Sequence, residues 1–410
     1  MARRSHNRNP APRPARARNR NTLRENHREP PKVALLVETS NAYARDMLAG
    51  IEDYIRAHGP WSVYLGEQGR GDAVPRWFAR WQGDGIIARV ENERIAAALA
   101  GIGLPVVDLS FAHLLSTAPT FTTDNPAIGR LALQHFTERG FQHFAYCGRS
   151  EFVWSVDRGE CFAREVRAAG FRCDVFEPPR MAGADADAET DAIAEWLTAL
   201  PQPLAVLACY DLRGQQVLDA ARRAGFAVPE QTAVLSVDND ELLCALSPPP
   251  LSSIILHGRR AGWLAAEALA RLMAGKKVPP EVHRIPPIGV ATRQSTDTLA
   301  VADPQLARAL RFIRERACDG IAVTDILRHA PMARRSLEHR MRATIGRSPN
   351  EEILRVKLAR ARRLLAATDL SLSEVAGRCG FRHTEYLSVA FKRQFGIPPG
   401  QYRRESEAGT

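Results

Sequence analysis

The sequence predicts an α/β protein with parallel sheets, joined to an all-α C-terminal domain that contains two helix-turn-helix units. Short apolar runs alternate with helix-like segments between residues 32 and 298, whereas helical periodicities follow one another after residue 303. The charge is also uneven. Of the formal net charge of +10, residues 1–30 carry +7 and residues 301–410 carry +9, which leaves −6 for the middle. Basic ends around an acidic middle are typical of a chain whose C-terminal part contacts a polyanion.

The first 31 residues predict a disordered basic tail. Residues 1–30 contain nine Arg, two Glu and almost no apolar side chains, so nothing there offsets the entropy lost on ordering. The tail either adds non-specific affinity for DNA or is a solvated or wrongly assigned start of the chain, and both readings stay open. It has no hydrophobic stretch of the kind that a secretory signal needs.

Strands and helices alternate through the middle of the chain. Strands are predicted at residues 32–38, 61–67, 84–90, 104–110, 143–149, 172–177, 204–210 and 233–240. Helices are predicted at residues 43–57, 91–100, 125–139, 158–169, 211–224 and 258–274. This alternation indicates parallel sheets with helices on both faces. In such folds a ligand binds beyond the carboxyl ends of the strands, so the residues that follow each strand are the candidates for a binding site.

Polar and aromatic side chains stand at these positions. The candidates are Asn41, Arg89, Trp154, Asp157, Arg158, Asp211, Asp238 and Asn239. Carboxylates accept from neighbouring hydroxyls, Arg donates in parallel pairs, and an aromatic face covers C–H groups, so the set predicts a sugar site. Other readings stay open: Asn41 and Asp211 as helix caps, Arg158 in a surface ion pair, and Trp154 in the core.

The first helix-turn-helix unit begins near Val323. A short helix is followed by a turn at Pro331, and then by a helix in which Leu337, Met341 and Ile345 are spaced by four residues. This spacing places the three apolar side chains on one face, which must be buried.

The second unit lies about fifty residues further along the chain. A capping box at residues 371–374 opens a short helix, Gly380 makes the turn, and Leu387, Phe391 and Phe395 mark the buried face of the next helix. A connecting helix between the units runs through Leu365. The candidate DNA-binding residues are Arg334, Arg335, Arg340 and Arg342 in the first unit, and Arg382, His383, Thr384, Ser388, Lys392 and Arg393 in the second. The alternative is that these faces are only solvated surface.

The C-terminal region resembles the DNA-binding domain of the arabinose-regulator (AraC) transcription factors. The resemblance rests on IGRSPNEEILRVKLARARRLL, LSEVAGRCGF and EYLSVAFKRQFG, and it implies a DNA-binding domain at residues 303–405. Pro331 stands where such families usually have Gly, and Ala333 where they usually have a Ser or Thr cap. A missing cap costs about 1 kcal/mol of helix stability, so the first unit is expected to be less rigid than the second.

The middle resembles the effector domain of the lactose-repressor (LacI) family and the periplasmic sugar-binding proteins. The segments FTTDNPAIGRLALQHFTERGFQHFAYCG and AVLSVDNDELLCALSPPPLSSI carry this resemblance. It implies a two-lobed, periplasmic-binding-protein-like effector domain at residues 32–298. It also implies that Arg158 and Asp238 contact the effector, and we expect them to do so from opposite lobes.

The two regions together resemble the xylose operon regulator (XylR) family. This implies a sequence-specific transcription regulator, here expected to be an activator of pentose catabolism genes with D-xylose as effector, and a regulator of the same build that senses another sugar or small polar metabolite is the alternative. A solute-binding transport protein would share the middle domain, but it would carry a signal peptide and no DNA-binding domain.

Other classes are excluded by missing motifs. The seven Cys form no C-x-x-C pair and predict neither a zinc site nor a disulfide framework. We find no phosphate loop, no G-x-S-x-G and no H-E-x-x-H, so the expectation is no enzyme, no cofactor and no metal. No apolar run is long enough to span a membrane. We expect a cytoplasmic homodimer that binds operator DNA and a small sugar, and RNA polymerase if it activates.

Overall fold

The computed structural model of the protein describes residues 29–176, 186–297, 301, 303–368 and 370–408. Apart from residues 29–31, the predicted N-terminal tail lies outside these residues. Among the helices described, none has the length and apolar character needed to cross a membrane.

Strands and helices alternate from Lys32 as the sequence predicts. In chain order the elements are β1 (Lys32–Leu36), α1 (Ala42–His58), β2 (Ser62–Leu65), β3 (Gly85–Ala88), α2 (Glu93–Ala100), β4 (Val106–Asp108), β5 (Thr120–Thr123), α3 (Asn125–Thr137), β6 (His143–Cys147), α4 (Val153–Ala168), β7 (Cys173–Phe176), α5 (Ala186–Thr198), β8 (Leu204–Ala208), α6 (Asp211–Arg223), β9 (Thr232–Val237), α7 (Glu241–Leu246), β10 (Ser252–Ile255), α8 (Gly258–Met273), β11 (Val282–Ile285) and β12 (Gly289–Ala291). The predicted fold class is confirmed.

The first lobe is built on a parallel sheet with the strand order β11-β5-β4-β3-β1-β2. Helices α1 and α8 pack against each other in this lobe. Two glycines allow the close approach: a Cβ on Gly50 would lie 2.0 Å from the carbonyl oxygen of Arg259, and one on Gly262 would lie 1.9 Å from that of Met47. A side chain at either position would therefore force the two helices apart.

The second lobe has the sheet order β12-β10-β9-β8-β6-β7, in which only β12 is antiparallel to its neighbour. Every residue of β8 and β9 is buried, as expected for central strands with helices on both faces. The chain passes between the lobes three times: from β5 into α3, from β10 into α8, and from β11 into β12. A cleft lies between the two lobes.

Some elements were not predicted. Strands β5, β10, β11 and β12 were missed, because they are three or four residues long and carry few large apolar side chains. Helices α5 and α7 were also missed. Helix α4 begins at Val153, five residues before its predicted start, so Trp154 lies on a helix and not in a loop.

The C-terminal region is helical throughout its described part. Its helices are α9 (Pro304–Arg316), α10 (Val323–His329), α11 (Arg334–Ile345), α12 (Pro349–Ala367), α13 (Leu372–Arg378), α14 (Thr384–Phe395) and α15 (Pro399–Ala408). The pairs α10–α11 and α13–α14 are the two predicted helix-turn-helix units. The capping boxes at Ser348 and Ser371 are both formed, with Glu351 and Glu374 as partners.

Helix α12 joins the two units because its two ends belong to different cores. Ile353 and Val356 are buried with α9, α10 and α11 in the first core. Leu358, Ala361 and Leu365 are buried with α13 and α14 in the second. A movement of α12 would therefore displace both units.

The expected difference in rigidity between the units finds no support in their caps. Ala333 precedes α11 without a side-chain cap, as predicted. His383 precedes α14, however, and its side chain also makes no capping hydrogen bond. Both second helices therefore lack the stabilisation of about 1 kcal/mol that a cap provides.

The C-terminal domain docks on the second lobe. Ala227 of that lobe is buried in the same core as Leu306 and Leu310 of α9. Beside this contact, Nη1 of Arg314 lies 2.6 Å from Oε1 of Glu230, and both side chains are almost fully buried. The docking therefore combines an apolar contact with a buried ion pair.

Candidate functional site

A cleft lies between the lobes at the carboxyl ends of the strands, where the parallel fold predicts it. Its outer part is a cavity of about 270 Å³ whose lining includes Asn41, Arg70, Phe152, Tyr210, Asp238 and Asp240. A smaller pocket of about 20 Å³ continues inward, and Tyr43, Arg89, Thr122, Trp154, Arg158 and Asp238 are among its lining residues. Asp238 borders both cavities, so it lies at the centre of the cleft.

Asp238 follows β9 in a backbone conformation that few non-glycine residues adopt, with φ of +105°. No hydrogen bond to its carboxylate forms within the described residues. Burial raises the pKa of Asp238, while Arg158, Arg70 and Arg89 act in the opposite direction. A carboxylate held in a strained position, near cations and without a hydrogen-bond donor, is ready to accept hydrogen bonds from a ligand.

Arg158 is fixed beside Asp238 by hydrogen bonds to Asn125, where the chain enters the second lobe, and to Cys209. Its Nε donates to Oδ1 of Asn125 at 3.1 Å, and its Nη1 donates to the carbonyl of Cys209. Nδ2 of Asn125 donates in turn to Oδ2 of Asp157 at 2.8 Å. Asn125 thus positions two of the predicted ligand-binding residues, although it was not itself predicted as part of the site.

The expectation that Arg158 and Asp238 act from opposite lobes is wrong. Arg158 lies on α4 and Asp238 follows β9, and both elements belong to the second lobe. The sequence did not indicate that Arg158 and Asp238 share a lobe, because the three passages between the lobes follow short strands that were not predicted. The first lobe contributes Arg70 and Arg89 to the cleft instead.

Arg89 is held by two carboxylates of its own lobe. Its terminal nitrogens donate to Glu38 and Glu91. Burial acts against the charge of Arg89, but these two carboxylates outweigh it and raise its pKa. Its Nε is buried and has no hydrogen-bond partner among the described residues, so one donor stays free for a ligand.

Arg70 was not predicted, yet it reaches across the cleft. Its guanidinium carbon lies 4.9 Å from the ring centre of Trp154, 5.3 Å from that of Tyr210 and 5.5 Å from that of Phe152. Its buried Nε also has no hydrogen-bond partner within the described part of the chain. In the sequence, Arg70 stands between Gly69 and Gly71 in the loop that follows β2, and this position is the feature that could have marked it as a candidate.

Trp154 packs in the core and also has an indole N–H that a ligand can accept from. It is buried and stacks on Phe152 at 5.1 Å, which agrees with the core reading. Its indole Nε1 is buried without an acceptor among the described residues. A buried donor without a partner costs roughly 1–3 kcal/mol, and a ligand oxygen would remove that cost.

Asn41 and Asp211, both predicted to bind a ligand, form hydrogen bonds within the protein. Asn41 caps α1 through the backbone N–H of Ala44 at 2.8 Å, so its reading as a cap is correct. Asp211 accepts from Ser236, Ser253 and the backbone N–H of Asp240, which ties the ends of β9 and β10 together. Burial and the nearby Asp238 raise the pKa of Asp211 to about 7.

Asn239 also points away from the cleft. Its Oδ1 accepts from Nη2 of Arg293 at 2.8 Å. Arg293 lines a second cavity of about 290 Å³, between the second lobe and the C-terminal domain, together with Arg355 and Val356 of α12. Asn239, the neighbour of Asp238 in the sequence, is therefore hydrogen-bonded to a residue at the junction between the domains.

The second helix of each helix-turn-helix unit exposes a charged face. On α11 the exposed stripe consists of Arg335, His339 and Arg342, of which His339 was not predicted. Arg334 is exposed too, but it pairs with Glu338 at 2.9 Å. Arg340 is turned back instead, because it pairs with Asp303 at the start of α9 at 2.8 Å, and we leave it out of the candidate DNA surface.

On α14 the most exposed face differs slightly from the predicted one. Arg382, His383, Lys392 and Arg393 are exposed, whereas Thr384 and Ser388 are half-buried at the edge of the face. Val389, which was not predicted, is 68% exposed at its centre. An exposed apolar side chain between basic residues can contact a thymine methyl group in a major groove.

Known proteins share this arrangement. Family descriptions match in three parts: "XylR N-terminal domain" at residues 32–122, "Periplasmic binding protein-like domain" at 133–296, and "Helix-turn-helix domain" at 326–405. The xylose operon regulatory protein of Escherichia coli K12 is 31% identical over 91% of this chain and 96% of its own length. That of Haemophilus influenzae is 30% identical over 91% of this chain and 98% of its own length.

A solved structure agrees with these sequence matches. It is described as "structure of xylose-binding transcription activator xylR", and it superposes with a TM-score of 0.81 at 30% identity, covering 92% of this chain and 98% of its own. The match includes both lobes and the C-terminal helices, so the similarity extends to the whole arrangement of domains.

Proposed function

The chain belongs to the xylose operon regulator family, and from this premise we propose that it is a DNA-binding transcription regulator controlled by a small sugar. In this proposal residues 32–298 are the effector domain and residues 303–405 the DNA-binding domain, and the protein acts in the cytoplasm on pentose catabolism genes. One observation carries the proposal: buried donors from both lobes, which have no hydrogen-bond partner among the described residues, converge with the carboxylate of Asp238 on one cleft.

The chemistry of the cleft favours an uncharged polyhydroxyl ligand. The lining carries both signs of charge: Arg70, Arg89 and Arg158 lie beside Glu38, Glu91, Asp238 and Asp240, so it is not a uniformly charged site for an anion or a cation. Phe152 and Tyr210 line the outer cavity and Trp154 lines the inner pocket, so the cleft also has apolar ring atoms that can contact C–H groups. The cavity of about 270 Å³ is below the roughly 300–1,000 Å³ of sites for drug-sized ligands, which suits a monosaccharide.

A calorimetric titration of the purified chain with a panel of pentoses and hexoses tests the effector. We expect D-xylose to bind more tightly than any hexose, with one sugar per chain. If another sugar binds best, the result would support the alternative, in which a regulator of the same architecture senses a different metabolite. Absence of binding by every sugar would remove the proposal.

Binding of sugar in the cleft must change the DNA-binding domain, and polar contacts between the two domains can transmit this change. Asn239 accepts from Arg293 beside the junction cavity, and Nη1 of Arg355 on α12 donates to Asp297 at 2.8 Å. Since α12 belongs to the cores of both helix-turn-helix units, a displacement near Asp238 could act on both reading helices.

Replacing Arg293 tests this route. In Arg293→Met the side chain keeps its bulk but loses its hydrogen bonds to Asn239 and Leu251. We expect sugar affinity within about twofold of wild type, and a sugar-dependent change in operator affinity that is several-fold smaller, because coupling and binding are separate free energies. The control is Arg172→Met, whose side chain is 92% exposed on the same lobe. An unchanged response in Arg293→Met would exclude this route.

The DNA-contacting face makes a separate prediction. We propose that α11 and α14 enter two neighbouring major grooves. Arg335→Ala should alter sequence preference, at about 1–3 kcal/mol for a lost bidentate base contact, and Thr384→Ala should alter it less, because a hydroxyl offers one oxygen and Thr384 lies at the edge of the face. Lys392→Ala should weaken all sequences alike and reduce the slope of the salt dependence by about one. Arg172→Ala serves as the charge-matched control, and binding by all three test variants like wild type would show that the faces are only solvated.

We also propose a homodimer that reads two repeated half-sites. The apolar seam of α12 is used inside the DNA-binding domain, so the dimer contact must come from the effector domain. RNA polymerase is the further partner if the regulator activates. Analytical ultracentrifugation is expected to show a dimer on operator DNA, and a monomer both free and on DNA would contradict this.

A further inference from the structure

Two cysteines meet where the halves of the DNA-binding domain touch. Cys318 lies in the short turn Ala317–Asp319 after α9, and Cys379 ends α13 just before the turn at Gly380. The thiol of Cys318 forms a hydrogen bond with that of Cys379. The backbones are also in contact, since a Cβ on Gly380 would lie 2.3 Å from the carbonyl oxygen of Cys318.

Basic residues of α12 surround this pair. Nζ of Lys357 donates to the carbonyl of Gly380 at 2.8 Å. The hydrogen bond from Cys379, with the charges of Arg360 and Lys357, lowers the pKa of Cys318 to about 7 against the effect of burial. A lowered pKa favours the thiolate, and the thiolate is the reactive form.

The cysteines of the effector domain behave in the opposite way. Burial raises the pKa of Cys147 and Cys173 to about 12 and that of Cys209 to about 11. It also raises the pKa of Cys161 and Cys244. Cys173 is half-buried, as Cys318 is, so exposure alone does not distinguish the two. What distinguishes Cys318 is a neighbouring thiol together with neighbouring cations.

We propose that Cys318 and Cys379 form a thiol–disulfide pair through which hydrogen peroxide weakens operator binding. The Cys318 thiolate attacks one peroxide oxygen, which breaks the O–O bond and gives a sulfenic acid and, after protonation, water. The Cys379 thiol then attacks that sulfur, loses its proton and releases the sulfenic oxygen as a second water. Two thiols lose two electrons and two protons, and one peroxide is reduced to two waters.

The consequence for DNA binding follows from the position of the bond and rests on the proposed function. A disulfide brings the sulfurs to about 2.05 Å, closer than hydrogen-bonded thiols, so the packed backbones at Cys318 and Gly380 must rearrange to form it. This turn sets where α14 begins. The bond would also join the first core to the second unit, which are otherwise linked through α12. The spacing of the two reading helices would then no longer adjust to two successive grooves.

The test follows bond formation and operator affinity separately in the full chain treated with hydrogen peroxide. Intact mass should fall by two hydrogens, and peptide mapping should show Cys318 joined to Cys379. Operator affinity should fall several-fold and recover with dithiothreitol. Cys318→Ser and Cys379→Ser should form no such bond and keep their affinity in peroxide, whereas Cys173→Ser, the matched control, should behave like wild type.

Three results would overturn the proposal: no peptide joining Cys318 to Cys379, a disulfide that leaves operator affinity unchanged, or an equal loss of affinity in Cys318→Ser. The mass measurement needs no DNA. If the reduced protein bound no operator at all, the proposed function would fail while the formation of the disulfide could still be judged.

Discussion

Asp238→Asn is expected to fold normally, to bind operator as wild type does without sugar, and to lose the response of operator binding to sugar. The carboxylate can accept from two neighbouring hydroxyls, whereas the amide replaces one acceptor by a donor. Hydrogen bonds to charged groups contribute about 1.5–3 kcal/mol, so the sugar dissociation constant should rise roughly 10- to 150-fold. At sugar concentrations that saturate wild type, the variant would then be largely empty.

Asn is chosen for this test because of the backbone. The φ of Asp238 is +105°, and Asn tolerates positive φ better than Ala does, so loss of the carboxylate is separated from backbone strain. Asn also keeps the shape of the Asp side chain while it removes a carboxylate whose pKa burial raises, so the variant is expected to fold. Asp219→Asn, on the surface of the same lobe, is the matched control. A variant that responds to sugar with an unshifted midpoint would remove Asp238 from the site.

Arg314→Met is expected to lower the free energy of unfolding by about 3–5 kcal/mol at neutral pH, because it leaves Glu230 buried without its charged partner. Glu230 is fully buried, and within the described residues neither of its carboxylate oxygens has a well-aligned hydrogen bond. Chemical denaturation measures the loss. Arg314→Met/Glu230→Leu is the control, since removing both charges should recover most of the stability.

The loss in Arg314→Met should also depend on pH. Burial raises the pKa of Glu230 above its unfolded value, while Arg314 lowers it. The folded state therefore binds the proton more tightly than the unfolded state, and stability falls as pH rises through the window between the two pKa values. Without Arg314 the upper end of that window moves upward. The deficit relative to wild type should thus shrink as pH is lowered from about 8 to about 5. A deficit that is constant over this range would mean that lost packing, and not the unpaired carboxylate, explains it.

The fold could be predicted from the sequence wherever apolar runs were long. β1, β8 and β9 are buried runs of five or six residues, and the helix pairs carry apolar side chains four residues apart. Four short strands were missed, and with them the passages between the lobes. The missed strands produced the wrong expectation that Arg158 and Asp238 act from opposite lobes.

The site residues show a second limit. Position after a strand led to Asp238 and Arg158, which both line the cleft, but it could not give the direction of a side chain. Asp211 turns towards Ser236 and Ser253, and Asn239 turns towards Arg293, because partners distant in sequence are there to bind them. Arg70 was missed because the two glycines beside it mark a loop, and a loop without periodicity does not indicate which side chain crosses the cleft.

The most direct test of the account is a calorimetric titration of D-xylose into the full chain, once alone and once saturated with operator DNA. If the cleft and the DNA-binding domain are coupled, operator must change the affinity for sugar by the same factor by which sugar changes the affinity for operator. We expect one sugar per chain and a shift of about 5- to 150-fold between the two titrations, which corresponds to a coupling of roughly 1–3 kcal/mol. Identical sugar affinities with and without operator, in a protein whose operator binding nevertheless responds to sugar, would contradict the account.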